Sequence, residues 1–417
     1  MRPPFVIAHA SDLHASDFGD TFHDVRRVVK RSARVADVDP ARWEVYWQES
    51  GWRVLHKKGA RRAKIQLVDP DGYSHPLPAK KDALGDPKLL GRSGGAGLSD
   101  PVDRAAAYAC RVEARRARSL AGLSQGALDI LADGTPNNVN VRLMRAAREL
   151  PDDIDLVVLT GDLTDDGGGY EAITAAFERF KGRVLAVPGN HDRYLFPMAS
   201  SLRPKLTHAQ KAERWRAFAA SLGLELAPCG AWMKTYPDRD VAIIGLDSCA
   251  RGQRRFYRHN GALGEEQLAW LRETGKTPAW TSAKHRLVLL HHHVVPLPHG
   301  VGKKAPSEIG MRLDDGNAAA EVFDDIGVTA VLHGHRHVSE QRRPAGSHFT
   351  IFAAPSFTLG CKSGDDPSYW RIELGDRMVA ERVYVGAKAV DGEDADDALE
   401  SQDIPIEEDD LADPDGA

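Results

Sequence analysis

Apolar residues along this chain fall in short runs that stop at clusters of polar residues. Phe5–Ala10 is one such run, read as a buried strand that ends at Ser11-Asp12-Leu13-His14. From about residue 138 the pattern becomes regular. It predicts an amphipathic helix over Val139–Leu150, a strand over Asp155–Leu159 ending at Thr160-Gly161-Asp162, and a helix over Tyr170–Phe180. A strand over Arg183–Val187 then ends at Pro188-Gly189-Asn190-His191-Asp192. Further strands are expected at Val241–Leu246, Arg286–Leu290, Thr329–Leu332 and Phe349–Ala353, with a helix over Glu265–Thr274. Strand and helix in alternation predict an α/β sheet system whose sites lie at the carboxyl ends of strands.

The stretch between the first strand and residue 138 breaks this rhythm. Residues 24–36 read as a helix. Residues 41–75 read as a small β unit in which Trp43, Val45 and Trp47 alternate, closing at the turn signal Asp69-Pro70-Asp71-Gly72. Loop is expected over 79–100 and helix over 102–131. Charge sharpens the division. The net charge is −5, yet residues 26–118 hold 21 Lys and Arg against 11 Asp and Glu, while residues 391–417 hold 13 acidic side chains and neither Lys nor Arg. The sequence therefore reads as a body formed by 1–23 and 135–390, an inserted basic subdomain over 24–134, and an acidic, disordered tail over 391–417. The basic segment makes nucleic acid a candidate partner.

Composition removes other classes. With 42% hydrophobic residues a chain of 417 has material for a sizeable core. No apolar run approaches the roughly 18 residues of a membrane helix. Cys110, Cys229, Cys249 and Cys361 show no CxxC spacing, which argues against a disulfide scaffold or zinc ribbon. Phe5-Val6-Ile7-Ala8 enters a strand directly, without the features of a signal peptide, so the expected location is cytoplasmic.

The polar clusters carry the chemistry. After successive strands come Asp12-x-His14, Gly161-Asp162, Gly189-Asn190-His191-Asp192, His291-His292-His293 and Gly334-His335-x-His337. Strand ends set side by side would bring these into one pocket. Oxygen donors mixed with imidazoles suit Mn, Fe or Zn better than Ca, and there are too many donors for one tetrahedral ion. Gly167-Gly168-Gly169 is read as a turn, since no Gly-Lys-Ser/Thr follows.

These five motifs, in this order, resemble the calcineurin-like metallophosphoesterase superfamily over residues 5–18 and about 138–380. Gly245-Leu246-Asp247-Ser248, Gly261–Leu271 and the run from His291 to Pro298 are similar to its class III cyclic-nucleotide phosphodiesterase branch. The resemblance implies a four-layer sandwich of two mixed β-sheets flanked by helices. It implies two divalent metal ions, with Mn or an Fe/Mn pair favoured: Asp12, His14 and His337 holding one, Asn190, His291 and His335 the other, and Asp162 bridging. His292 is the alternative to His291. His191 would sit over the phosphate as general acid or electrostatic stabiliser, oriented by Asp192. The implied reaction is hydrolysis of a phosphodiester, a cyclic nucleotide among the candidates, by a hydroxide shared between the metals. The alternatives are a nuclease, a phosphomonoesterase, or a nucleic-acid-binding regulatory protein with a vestigial metal site.

Overall fold

The computed structural model describes residues 3–16, 41–49, 52–59, 65–68, 74–76, 122, 139–195, 206–250, 259–295, 311–359 and 366–385. They belong to a unit spanning Met1–Gly386. A second unit, Ala387–Ala417, lies outside them, as do the helix expected over 24–36, the loop over 79–100 and all but Gly122 of the helix over 102–131.

Two mixed sheets form the body. In the first, strand β1 (Phe5–Ala10) is central. It runs parallel to β6 (Leu156–Thr160), which continues to β7 (Val184–Val187). On its other side β1 pairs antiparallel with β14 (Ser368–Leu374), and β14 with β15 (Met378–Tyr384). The second sheet has a parallel centre made of β9 (Val241–Gly245), β10 (His285–Leu289), β11 (Ala330–His333) and β13 (Thr350–Ala353). Its antiparallel edges are β8 (Trp232–Tyr236) and β12 (Glu340–Arg342).

Side-chain alternation explains the layering. Val241 and Ile243, Leu287 and Leu289, and Ala330 and Leu332 turn into the core shared with the first sheet. Their neighbours Ala242, Ile244, Val288, Leu290 and Val331 turn the other way, onto Leu268 and Leu271 of α5 (Gly264–Thr274), Trp280 of α6 (Pro278–Thr281), and Val322 and Phe323 of α7 (Gly316–Asp325). Both faces are covered, which is why these strands read as continuous apolar runs. The first sheet carries α1 (Val139–Glu149) and α2 (Tyr170–Ala176), whose Leu143, Met144, Ala172 and Ile173 join the shared core. The result is the expected four-layer sandwich of two mixed sheets flanked by helices.

The helix expected over Tyr170–Phe180 ends early. α2 stops at Ala176, and Glu178–Phe180 forms a separate 3-10 turn. Two helices follow: the short α3 (Asn190–Arg193), after β7, and α4 (His208–Ser221). Four strands, β2 (Trp43–Glu49), β3 (Trp52–Lys57), β4 (Ile65–Val68) and β5 (Ser74–Pro76), form a separate antiparallel sheet and lie between β1 and α1 in the chain. Among the described residues no helix is long and apolar enough to cross a membrane.

The two sheets are tied together at one end. Beyond β1 and β6 the chain continues in register, with the amides of Asp12 and His14 on the carbonyls of Gly161 and Asp162 at 3.0 and 2.9 Å. The Phe357 amide, beyond β13, reaches the Ser11 carbonyl at 2.9 Å. Loops from both sheets thus meet where the polar motifs begin.

Candidate metal centre

Six non-glycine residues among those described adopt φ above zero, and five are candidate ligands: Asp12 (52°), His14 (51°), Asp162 (44°), His335 (76°) and His337 (50°). Left-handed backbone costs a non-glycine residue about 1–3 kcal/mol and gathers at functional sites. Here it marks the sharp turns at the strand ends that carry these residues.

Three overlapping sets of donors result: Asp12, His14 and His337; His14, Asp162 and His191; and Asp162, His291 and His335. Within each set the donor atoms lie within 4.8 Å of one another. His14 Nε2 and His337 Nε2 are 3.1 Å apart, and His337 Nε2 is 3.2 Å from Asp12 Oδ1. His291 Nε2 lies 3.0 Å from Asn190 Oδ1, 3.1 Å from His335 Nδ1 and 3.3 Å from Asp162 Oδ1. All seven residues proposed from the motifs as ligands therefore converge. Asp162 joins the two halves.

The donor chemistry fits divalent cations. The Nδ1 of His291 lies 2.9 Å from the Thr160 carbonyl, which can only accept, so Nδ1 carries the proton. Nε2 is then the ring nitrogen that faces Asn190 Oδ1 and Asp162 Oδ1, and it offers a lone pair to an ion once its own proton is given up. Donor atoms about 3 Å apart have the spacing of ligands that share an ion with bonds near 2.1 Å. Asp12 Oδ1 and His335 Nε2 are buried with no hydrogen-bond partner among the described residues. The pocket also asks for positive charge. Burial opposes the carboxylates, yet His337 and His291 hold Asp12 down at about 2, and His291 and His191 hold Asp162 well below the carboxylate range. Burial likewise opposes charge on His291, but Asp162 and Asp12 lift it to about 9. A cation entering such a site would displace protons.

The three consecutive histidines diverge. His291 enters the donor set. His292 is held at Nδ1 by Ser248 Oγ at 2.8 Å and at Nε2 by the His259 carbonyl at 2.7 Å, so both its nitrogens are engaged away from the pocket. His293 faces His333, with ring centroids 6.2 Å apart. The Asp247-Ser248 pair seen in the sequence forms a scaffold behind the site. Asp247 Oδ2 is paired with Arg193 Nη1, the Asp247 amide and carbonyl are both bonded by the Gln267 amide group, and Ser248 holds His292.

One expected role changes. Asp192, expected to orient His191, accepts five hydrogen bonds: from the amides of Leu163, Thr164 and Gly189, from Thr164 Oγ1 and from Tyr170 Oη. None comes from the His191 ring. Asp192 instead ties the loop after β6 to the loop after β7, because its carboxylate sits under the turn where those amides point. The His191 ring is oriented by Asp165, whose carbonyl takes Nδ1 at 2.8 Å. The Asp165 carboxylate also lies 3.5 Å from His14 Nδ1 and 3.7 Å from His191 Nδ1. Asp165 is the residue the motif reading missed. Its signal is an acidic residue three positions past Asp162, in a segment otherwise buried. Burial pushes the His191 imidazole down to about 4, against the pull of Asp162 and Asp165.

Fold and donor set together define a four-layer α/β sandwich with a His/Asp/Asn cluster at the strand ends that could hold metal. The sequence model of the calcineurin-like phosphoesterase family matches residues 137–339 of this chain. The chain is similar to a cAMP/cGMP dual specificity phosphodiesterase of Mycobacterium tuberculosis, 27% identical over 49% of this chain and 55% of the relative. It is also similar to a 3',5'-cyclic adenosine monophosphate phosphodiesterase of Haemophilus influenzae, 26% identical over 53% of this chain and 68% of the relative. Among solved structures, a purple acid phosphatase from yellow lupin aligns over 61% of this chain and 49% of its own, at 14% identity and a TM-score of 0.41. The chain thus spans about half the length of the first of these relatives.

Proposed function

We propose that this protein hydrolyses phosphodiesters at a dinuclear metal centre, with cyclic nucleotides the first substrates to test because both relatives named above act on them. The observation that carries the reading is the single point where His291 Nε2, Asn190 Oδ1, His335 Nδ1 and Asp162 Oδ1 meet. In this reading Asp12, His14 and His337 would hold one cation, Asn190, His291 and His335 would hold the second, and Asp162 would serve both. Mn or an Fe/Mn pair suits this donor mixture. Bound there, the cations would neutralise charge on phosphoryl oxygens and lower the pKa of water toward neutrality.

The chain's own groups do the rest. Asp165 pins the Nδ1–H of His191, which leaves Nε2 facing the side of the pocket occupied by Asp162. An anionic ester beside that nitrogen raises its proton affinity, so His191 serves as proton donor to the leaving oxygen. Asp192 fixes the spacing between Asp162 and Asn190. Asp12, buried, takes the His335 amide on Oδ2 at 2.9 Å and keeps Oδ1 for the pocket. The intact donor set favours an enzyme over a vestigial site. Residues 24–134 are proposed as an inserted subdomain that selects the substrate, since β2–β5 form a sheet of their own.

The test is a substrate panel with the Mn²⁺-loaded protein: cyclic nucleotides, single- and double-stranded DNA, nucleotide sugars and monoesters. Diester hydrolysis abolished by chelation is expected. Hydrolysis of monoesters alone, or of nothing, would overturn the reading.

A further inference from the structure

Helix α4 buries a stripe made of Lys211, Trp215, Phe218 and Ala219. The spacing is that of one apolar helix face, and a lysine occupies its first position. A buried lysine costs free energy unless it is paired, so its presence on this face calls for a reason. Lys211 is 3% exposed, and its Nζ lies 2.7 Å from the carbonyl of His191 and 2.7 Å from that of Tyr194. These two carbonyls belong to the turn that presents the His191 ring. The stem reaches them through a gap left by Gly167, where a Cβ would sit 2.8 Å from Lys211 Cγ and where φ is +88°. Gly167 lies two residues past Asp165, the residue that pins the His191 ring. Lys211 therefore touches both halves of the frame around His191: its backbone turn directly, and the Asp165–Gly167 loop through packing. Thr207 and Gln210 cap α4 reciprocally, which fixes the first turn of the helix and with it the origin of this side chain.

We infer that Lys211 is a positioning residue for His191, holding the turn after Asn190 from beneath so that the imidazole keeps one orientation over the site. The inference rests on the role proposed for His191. A plain packing role is the competing account. The surroundings favour the first: burial pushes the ammonium down to about 8 while Asp166, Asp192, Asp165 and Asp162 hold it up, so the cation is kept inside at a cost that a methionine on the same stripe would avoid.

The test compares the full-length wild type with Lys211→Met and Lys211→Gln, alone and in a His191→Ala background. The probes are bis-p-nitrophenyl phosphate, whose leaving group needs little protonation, and diphenyl phosphate, whose phenolate needs more. Lys211→Met is expected to lower kcat on diphenyl phosphate by about tenfold to a hundredfold, the scale of a misplacement near 1 Å. It should leave KM and metal content near wild type and cost much less on the nitrophenyl ester. Lys211→Gln, which keeps a donor, should recover part of the loss, and in the His191→Ala background Lys211→Met should cost less than about twofold. Equal losses on both esters, or losses that multiply with His191→Ala, would overturn the inference. A readout independent of turnover is the histidine side-chain nitrogen spectrum. A single Nδ1-protonated tautomer of His191 is expected in the wild type and a mixture in Lys211→Met, and identical spectra would overturn the inference. Inactivity of the wild type on both esters would instead sink the functional reading, and the spectrum would still decide the role of Lys211.

Discussion

A single methyl group added at Gly189 removes no donor and should still disable the centre. Gly189 has φ −107° and ψ −178°, a conformation alanine adopts freely, so the substitution carries no backbone penalty. Its consequence is steric. A Cβ there would lie 2.1 Å from the Asp162 amide nitrogen and 2.3 Å from Asp162 Oδ1, whereas real Cβ contacts essentially never fall below 3.0 Å. The loop must therefore open by at least about 0.9 Å, the difference between those distances. The atoms pushed are the ones that matter. Asp162 Oδ1 accepts the His191 amide at 2.8 Å and lies 3.3 Å from His291 Nε2, and the Gly189 amide is itself held by Asp192 at 2.8 Å. Overpacking of this kind costs about 1–3 kcal/mol of stability, and a displacement near 1 Å at a reacting centre costs about a hundredfold in rate. Gly189→Ala should thus fold, melt a few degrees lower, bind less than its full complement of Mn²⁺ by elemental analysis, and hydrolyse bis-p-nitrophenyl phosphate at about 1% of the wild-type kcat/KM or below. Gly375→Ala is the control, since a Cβ there meets nothing nearer than 3.6 Å. Wild-type metal content and turnover in Gly189→Ala would refute the argument that the two loops are packed to van der Waals limits around Asp162.

Other expectations follow from the same geometry. Asp162→Asn should lower turnover by orders of magnitude, and normal hydrolysis with Mn²⁺ present would show the bridging role to be misassigned. His291→Ala should lose bound metal, whereas His292→Ala should keep it and lose about 1–3 kcal/mol of stability, because Ser248 Oγ and the His259 carbonyl lose their partner. Metal content compared across the two variants decides between the adjacent histidines. Arg193→Met leaves the Asp247 carboxylate buried without its guanidinium and should cost about 3–5 kcal/mol in denaturant unfolding. An unchanged midpoint would contradict that pairing.

Much of the two-sheet body was legible because its strands are covered on both faces and end where polar residues begin. β1, β6, β7, β9, β10, β11 and β13 all announce themselves this way. The edge strands do not. β14 mixes buried with half-buried positions, a weaker signal, and β15, β8 and β12 present mostly half-buried or exposed side chains. Helix α4 escaped because its face toward the body carries Lys211 among Trp215, Phe218 and Ala219. At the site the motifs named all seven donors that converge, since residue type and position after a strand suffice for that. Which way each side chain turns was not legible. Strain at Asp12, His14, Asp162, His335 and His337, the outward hydrogen bonds of His292, and the reassignment of His191 from Asp192 to Asp165 all depend on how two loops distant in sequence meet.

The central claim is that seven residues from both sheets form one centre that takes two cations and uses them on a phosphodiester. The most direct measurement is a titration of the metal-stripped full-length protein with Mn²⁺, following bound metal and hydrolysis of bis-p-nitrophenyl phosphate in the same samples. The account predicts activity that climbs to a plateau at two bound ions per chain and vanishes on chelation. Full activity in the stripped protein, or a plateau at a single ion, would contradict it.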